Sequence, residues 1–185
     1  MTRTIIARWR AEEDDGLEHL VLEEGPEGLV AEAAVLGRSD GEAFAACYRI
    51  ACDRLWRVRQ LEVRIIASPR RLQLVADGEG RWSDGSGASL EVLNGAIDVD
   101  LSASPFTNTL PIRRLQLEAG QSAEIVTAYV RFPELAVSAD GQRYTCLEPM
   151  RRYRYESLDS DFVREIEVDA DGLVVRYPGL FTRVN

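Results

Sequence analysis

The chain of 185 residues has no lysine; all 22 of its basic residues are arginine. That absence removes Schiff-base chemistry, a phosphate-cradling P-loop and every lysine nucleophile. Histidine is nearly absent too. His19 stands alone in LEHLVLEE, a strand-like segment, and no serine motif accompanies it, so an edge or surface position is expected rather than a catalytic triad. The three cysteines, Cys47, Cys52 and Cys146, are odd in number and unpatterned, which points to reduced structural thiols and away from a disulfide scaffold or zinc site. With so few histidines and cysteines no metal or cofactor is expected. No run approaches the roughly 18 apolar residues of a membrane-spanning helix. The start, MTRTIIARWR, has no apolar signal core, so the expected compartment is the cytoplasm. Basic charge is in deficit: 31 acidic against 22 basic side chains leave a net charge of −9. Such a chain repels phosphate backbones at long range, so nucleic acid is not an expected partner.

What is present is a globular composition, 45% apolar and 29% charged, expected to form one domain over residues 1–185. Six Asp-Gly pairs, at 15–16, 40–41, 77–78, 84–85, 140–141 and 171–172, read as turns, because both residues tolerate φ > 0 at low cost. Between them apolar and polar residues alternate, as in Ile97-Asp98-Val99-Asp100-Leu101, Leu61 to Ile65, and Arg152 to Glu156. Leu173, Val175 and Tyr177 likewise share a parity. Period two between turn signals predicts antiparallel strands with one buried face, hence an all-β class. The stretch 42–58 fits a helical face as well as a strand face; the flanking turn and strand favour two strands joined near Cys52 to Leu55. One segment breaks the pattern. Thr107, Asn108 and Thr109 are N-cap types and Pro111 suits a first turn, so a short helix is predicted over about residues 108–116. Its Phe106, Leu110, Ile112 and Leu115 should contact the sheet.

The run DVDLSASPFTNTLPIRRLQL (98–117) resembles the signature of the bacterial family described as putative glycolipid-binding proteins. So do YRIACDRLWRVRQLEV (48–63), AYVRFPELAV (128–137) and VRYPGLFTRV (175–184). The resemblance implies a spiral β-roll, a long antiparallel sheet rolled as an incomplete barrel around one short helix, and a homodimer. It also implies binding of a lipid or glycolipid, through a distant likeness to lipoprotein-carrier folds. It supplies no catalytic motif.

Several residues could carry chemistry on such a roll. Asp98 and Asp100 share a strand face about 6–7 Å apart, a spacing open to paired-carboxylate or metal work but more often a solvated face. Arg113 and Arg114, if the helix lies inside the roll, need a carboxylate, with Asp98 and Asp100 the candidates; a structural ion pair is favoured over ligand contact. Trp9, Trp56, Trp82, Tyr129, Tyr144, Tyr153 and Tyr155 are mainly core candidates, although amphipathic rings also stack on sugars or line acyl pockets. The expected ligand-binding set is therefore Arg113, Arg114, Asp98, Asp100, Asn108, Tyr153, Tyr155 and Trp82. Three functions follow: a non-catalytic carrier or sensor with its ligand inside the roll, an acid- and arginine-dependent enzyme on a carbohydrate-like substrate, or a structural dimer without ligand. An apolar cavity favours the first, a cleft holding a carboxylate of raised pKa the second, and a packed centre the third.

Overall fold

Alternation between turn signals yields a chain that is mostly strand. The computed structural model describes residues 2–184. The first seven strands are β1 (Arg3–Ala11), β2 (Leu17–Gly25), β3 (Gly28–Ser39), β4 (Glu42–Cys52), β5 (Val58–Ile65), β6 (Arg71–Ala76) and β7 (Trp82–Asp84). The second seven are β8 (Asp98–Leu101), β9 (Ser122–Arg131), β10 (Ala136–Glu148), β11 (Arg152–Ser157), β12 (Val163–Val168), β13 (Val174–Tyr177) and β14 (Phe181–Val184). The helix α1 (Thr109–Leu115) follows a 3-10 turn at Pro105–Asn108, close to the predicted span. Residues 42–58 form β4 and the start of β5, so strand period prevails over the helical alternative.

All fourteen strands belong to one sheet, ordered β7-β6-β5-β4-β3-β2-β1-β14-β13-β12-β11-β10-β9-β8. Two meanders meet where β1 pairs with β14, and β7 and β8, neighbours in sequence, become the two edges. The sheet is open and rolled. Its β8 edge comes round to β5, where the Val58 N–H donates to the Ile97 carbonyl at 3.3 Å. The expectation of antiparallel pairing fails at one place: β8 and β9 are parallel. The segment between them contains α1, and a helical crossover returns the chain to the end from which β8 started.

Asp40-Gly41 makes the two-residue hairpin expected of it, with φ of 51° and 82° between the paired Ser39 and Glu42. Asp140-Gly141 does not turn. Both residues lie inside β10, paired with Thr127 and Val126, because the chain has already reversed at Phe132–Leu135, where Leu135 takes φ of 61°. The parity expected of β13 is also corrected. A register shift opposite Glu167 and Val168 turns Val174 inward and leaves Val175 exposed.

Two buried clusters fill the roll. The larger is mostly aliphatic and takes Leu20, Leu22, Ile50, Leu61 and Leu74 from β2 to β6. The smaller gathers Tyr144, Tyr153, Tyr155 and Tyr177 from β10 to β13, with Ile166 and Val168. The segment around α1 touches both: Phe106 and Leu110 enter the first, Ile112 the second. Leu115, at the helix end, is only half-buried.

Candidate functional site

The carboxylates of β8 do face away from Val99 and Leu101, but that face is covered. Asp98 is fully buried, and Arg114 grips it through Nε at 3.0 Å and Nη2 at 2.6 Å. Burial raises the Asp98 pKa against the pull of that guanidinium. Asp100, partly buried, accepts from Thr107 Oγ1 at 3.0 Å and from Gln142 Nε2 at 2.7 Å. Desolvation raises its pKa as well, against these hydrogen bonds. A solvated acidic face was the wrong expectation, because the helix segment and β10 close over β8.

Asn108 also has an internal task. Its Oδ1 accepts the Tyr144 hydroxyl at 2.9 Å, and its Nδ2 donates to the Pro105 carbonyl. It does not cap α1, and the expected trio 107–109 does not serve the helix entrance. Helical backbone begins earlier, at Pro105, so the cap falls to Ser104, whose Oγ accepts the Phe106 N–H at 3.2 Å.

The other expected residues are scattered. Arg113 stacks its guanidinium 4.4 Å from the Trp56 ring centre and donates to the Asp171 carbonyl at 2.8 Å. Tyr153 and Tyr155 point into the smaller core while their arginine neighbours point out. Trp82 is buried in the larger core, its Nε1 donating to the Ala96 carbonyl at 2.8 Å. The structure therefore unites Asp98 with Arg114, sets Arg113 and Arg114 on one recess and brings Asp100 beside Thr107, but makes no single site of the whole set. His19 sits on β2 with its Nδ1 accepting from Arg8 Nε at 3.0 Å. The three cysteines are free thiols.

A residue outside that set stands out. Glu18, on β2, is 3% exposed, and one oxygen, Oε1, accepts the Tyr48 hydroxyl at 2.5 Å and the Ser104 hydroxyl at 2.8 Å. Its other oxygen, Oε2, is buried without a partner. Desolvation outweighs the two hydrogen bonds and pushes the Glu18 pKa up to about 7. Glu18 lines a cleft of about 260 Å³ with Trp9, Val35, Phe44, Ala103 and Phe132. A shallower groove of about 730 Å³ continues along Leu36, Ala45, Ile65, Ile66 and Pro133. Phe44 belongs to both walls. Its ring lies over Gly37, where a Cβ would sit 2.7 Å from ring carbon, and packs 6.0 Å from the Phe132 ring centre. The signal for Glu18 was present in its parity: it shares a strand face with Leu20 and Leu22, so alternation alone turns its carboxyl inward.

Among the described residues no group of three or more His, Cys, Asp or Glu is placed to hold a metal ion. No helix among them is long and apolar enough to cross a membrane.

Comparison with known proteins adds a family and a fold neighbour. Residues 6–183 match the family described as "Putative glycolipid-binding". A crystal structure of a DUF1089 family protein from Pseudomonas aeruginosa is 38% identical, with 95% of each chain covered and a TM-score of 0.83. No curated protein matches the chain.

Proposed function

The chain belongs to the family described as "Putative glycolipid-binding", and from that premise we propose that it is a non-catalytic carrier or sensor for a lipid or glycolipid-like ligand. The centre of the roll is packed by α1 and the two cores, as a structural dimer would have it, so the ligand is placed instead in the cleft beside Glu18. The observation that carries this reading is Glu18, a buried carboxyl whose Oε2 has no partner, among the residues that line an aromatic cleft. A buried polar atom without a partner costs about 1–3 kcal/mol, so a ligand hydroxyl that satisfies it gains affinity. Phe44, Phe132 and Leu36 offer apolar surface for a chain attached to that hydroxyl. The homodimer and the cytoplasmic setting expected from the sequence belong to the same proposal; sedimentation at graded concentrations tests the first.

A second reading rests on the same carboxyl, since a pKa near 7 suits a general acid. The cluster expected to carry enzyme chemistry, Asp98, Asp100 and Arg113, is instead engaged by internal partners. One experiment separates the readings. Octyl glucoside is titrated while tryptophan fluorescence is followed, because Trp9 lines the cleft. Binding is expected to weaken in Glu18→Gln and to vanish in Ala103→Trp, which fills the cleft. Affinity indifferent to both changes would sink the carrier reading. Glu18-dependent release of glucose would replace it with the enzyme.

A further inference from the structure

A second recess opens at the opposite end of β4, in the turn that leads to β5. Strand rise over Phe44 to Cys52 puts it roughly 25 Å from the Glu18 cleft. The recess holds about 410 Å³, and Arg54, Arg57, Arg113 and Arg114 all line it. The acidic residue on its wall, among those described, is the exposed Glu79. In a chain of net charge −9, four guanidinium groups around one recess call for an explanation.

Three of the four are held in place by partners that are not part of the wall. Asp53 accepts from Arg57 Nε at 2.9 Å, Asp98 accepts from Arg114, and Arg113 donates Nη1 to the Asp171 carbonyl with Nη2 3.6 Å from Glu24 Oε1. Each fork still has N–H groups to spare, since a guanidinium carries five. Arg54 is exposed and has no carboxylate partner within 4.0 Å among the described residues. Trp56 completes the wall. It is 7% exposed and held at φ of 63°, a conformation that costs a bulky residue free energy and gathers at ligand sites.

We propose that this recess binds a phosphomonoester, with Arg54, Arg113 and Arg114 donating to the phosphate oxygens and Trp56 fixing the Arg113 plane. Planar forks already restrained by internal partners lose little entropy on taking an anion, and guanidinium geometry matches phosphate oxygens two at a time. The phosphate can be that of a soluble metabolite or of a lipid head group, and the two sources present the same dianion.

The test uses the full chain at low ionic strength in phosphate-free buffer. Calorimetry is run with inorganic phosphate, with glucose 6-phosphate, and with phosphatidylcholine vesicles containing phosphatidic acid. The variants are Arg54→Gln and Leu55→Glu, both at exposed positions on the recess wall, so neither disturbs the core. Saturable binding of the soluble phosphates is expected, weakened about tenfold by each variant, through loss of one charge-assisted contact in Arg54→Gln and through repulsion by the added carboxylate in Leu55→Glu. Binding confined to the vesicles but weakened by both variants assigns the phosphate to a lipid head group and upholds the site. No saturable binding to any probe, or binding indifferent to both variants, overturns it. Octyl glucoside affinity should be unchanged in both, which keeps this result separate from the fate of the Glu18 cleft.

Discussion

Strands β2 to β6 turn Leu20, Leu22, Ile50 and Leu61 inward, side chains with no polar atom to place, whereas β10 to β13 turn inward Tyr144, Tyr153, Tyr155 and Tyr177. The tyrosine half packs its rings edge-on, with Tyr155 5.5 Å from Tyr144 and 6.2 Å from Tyr177. It also partners the polar groups at its border: Tyr144 reaches Asn108, and Gln142 reaches Asp100. The aliphatic half leaves one carboxyl oxygen, Glu18 Oε2, without a partner beside a cleft. Polar groups in the first setting hold elements together. A polar group left over in the second is where a ligand gains most, because surroundings of low polarity strengthen each hydrogen bond made there.

The seam between the halves should be the place where one substitution does most damage. Arg114→Met leaves Asp98 buried and unpaired, at a cost of about 3–5 kcal/mol in urea unfolding. Replacing both residues by Leu should recover most of that loss, since a buried pair contributes little net stability.

The aliphatic half should show itself through pH. Glu18 titrates near 7 in the folded chain against 4.5 as a free side chain, so the native state holds the extra proton between those values. The stability contributed by Glu18 therefore falls as pH rises from about 4.5 to 7 and changes no further above that, by about 3 kcal/mol for a shift of this size. Glu18→Gln should flatten that window. A profile unchanged by the substitution would mean that Glu18 is not the desolvated group.

In the tyrosine half, Tyr144→Phe strands Asn108 Oδ1 and should cost about 2 kcal/mol, read in the same unfolding experiment. A loss as small as that of a surface change would show that this half does not depend on its hydroxyls. The smallest effect belongs to the outer face: Arg154→Gln, which breaks a half-exposed pair with Glu165 at 3.6 Å, should stay within about 0.5 kcal/mol.

Much of this was legible in local pattern. Leu61 to Ile65 and Arg152 to Glu156 alternate because successive strand side chains point to opposite faces, and the structure places Leu61, Val63, Tyr153 and Tyr155 inward. The helix was legible from Pro111 and the polar residues before it, although its cap was not: capping depends on where helical backbone starts, and that lies at Pro105. The site was harder to find. The carboxylates in the distinctive 98–117 run drew attention to residues that serve the fold, while Glu18 sat in an ordinary strand beside a conspicuous histidine.

The sequence by itself determined which side chains share a face, since period two and turn chemistry act over a few residues and need no distant partner. It determined that Asp98 and Asp100 point one way, and Val99 and Leu101 the other. Tertiary structure alone decided what covers each face. The crossover through α1 laid Arg114 over Asp98, the roll carried the β8 edge to β5, and the Ser104 segment met Tyr48 across 56 positions of chain and Glu18 across 86. Solvation, and with it the charge state and reactivity of a carboxyl, depends on neighbours brought by such long-range closures. Strand alternation cannot contain that information.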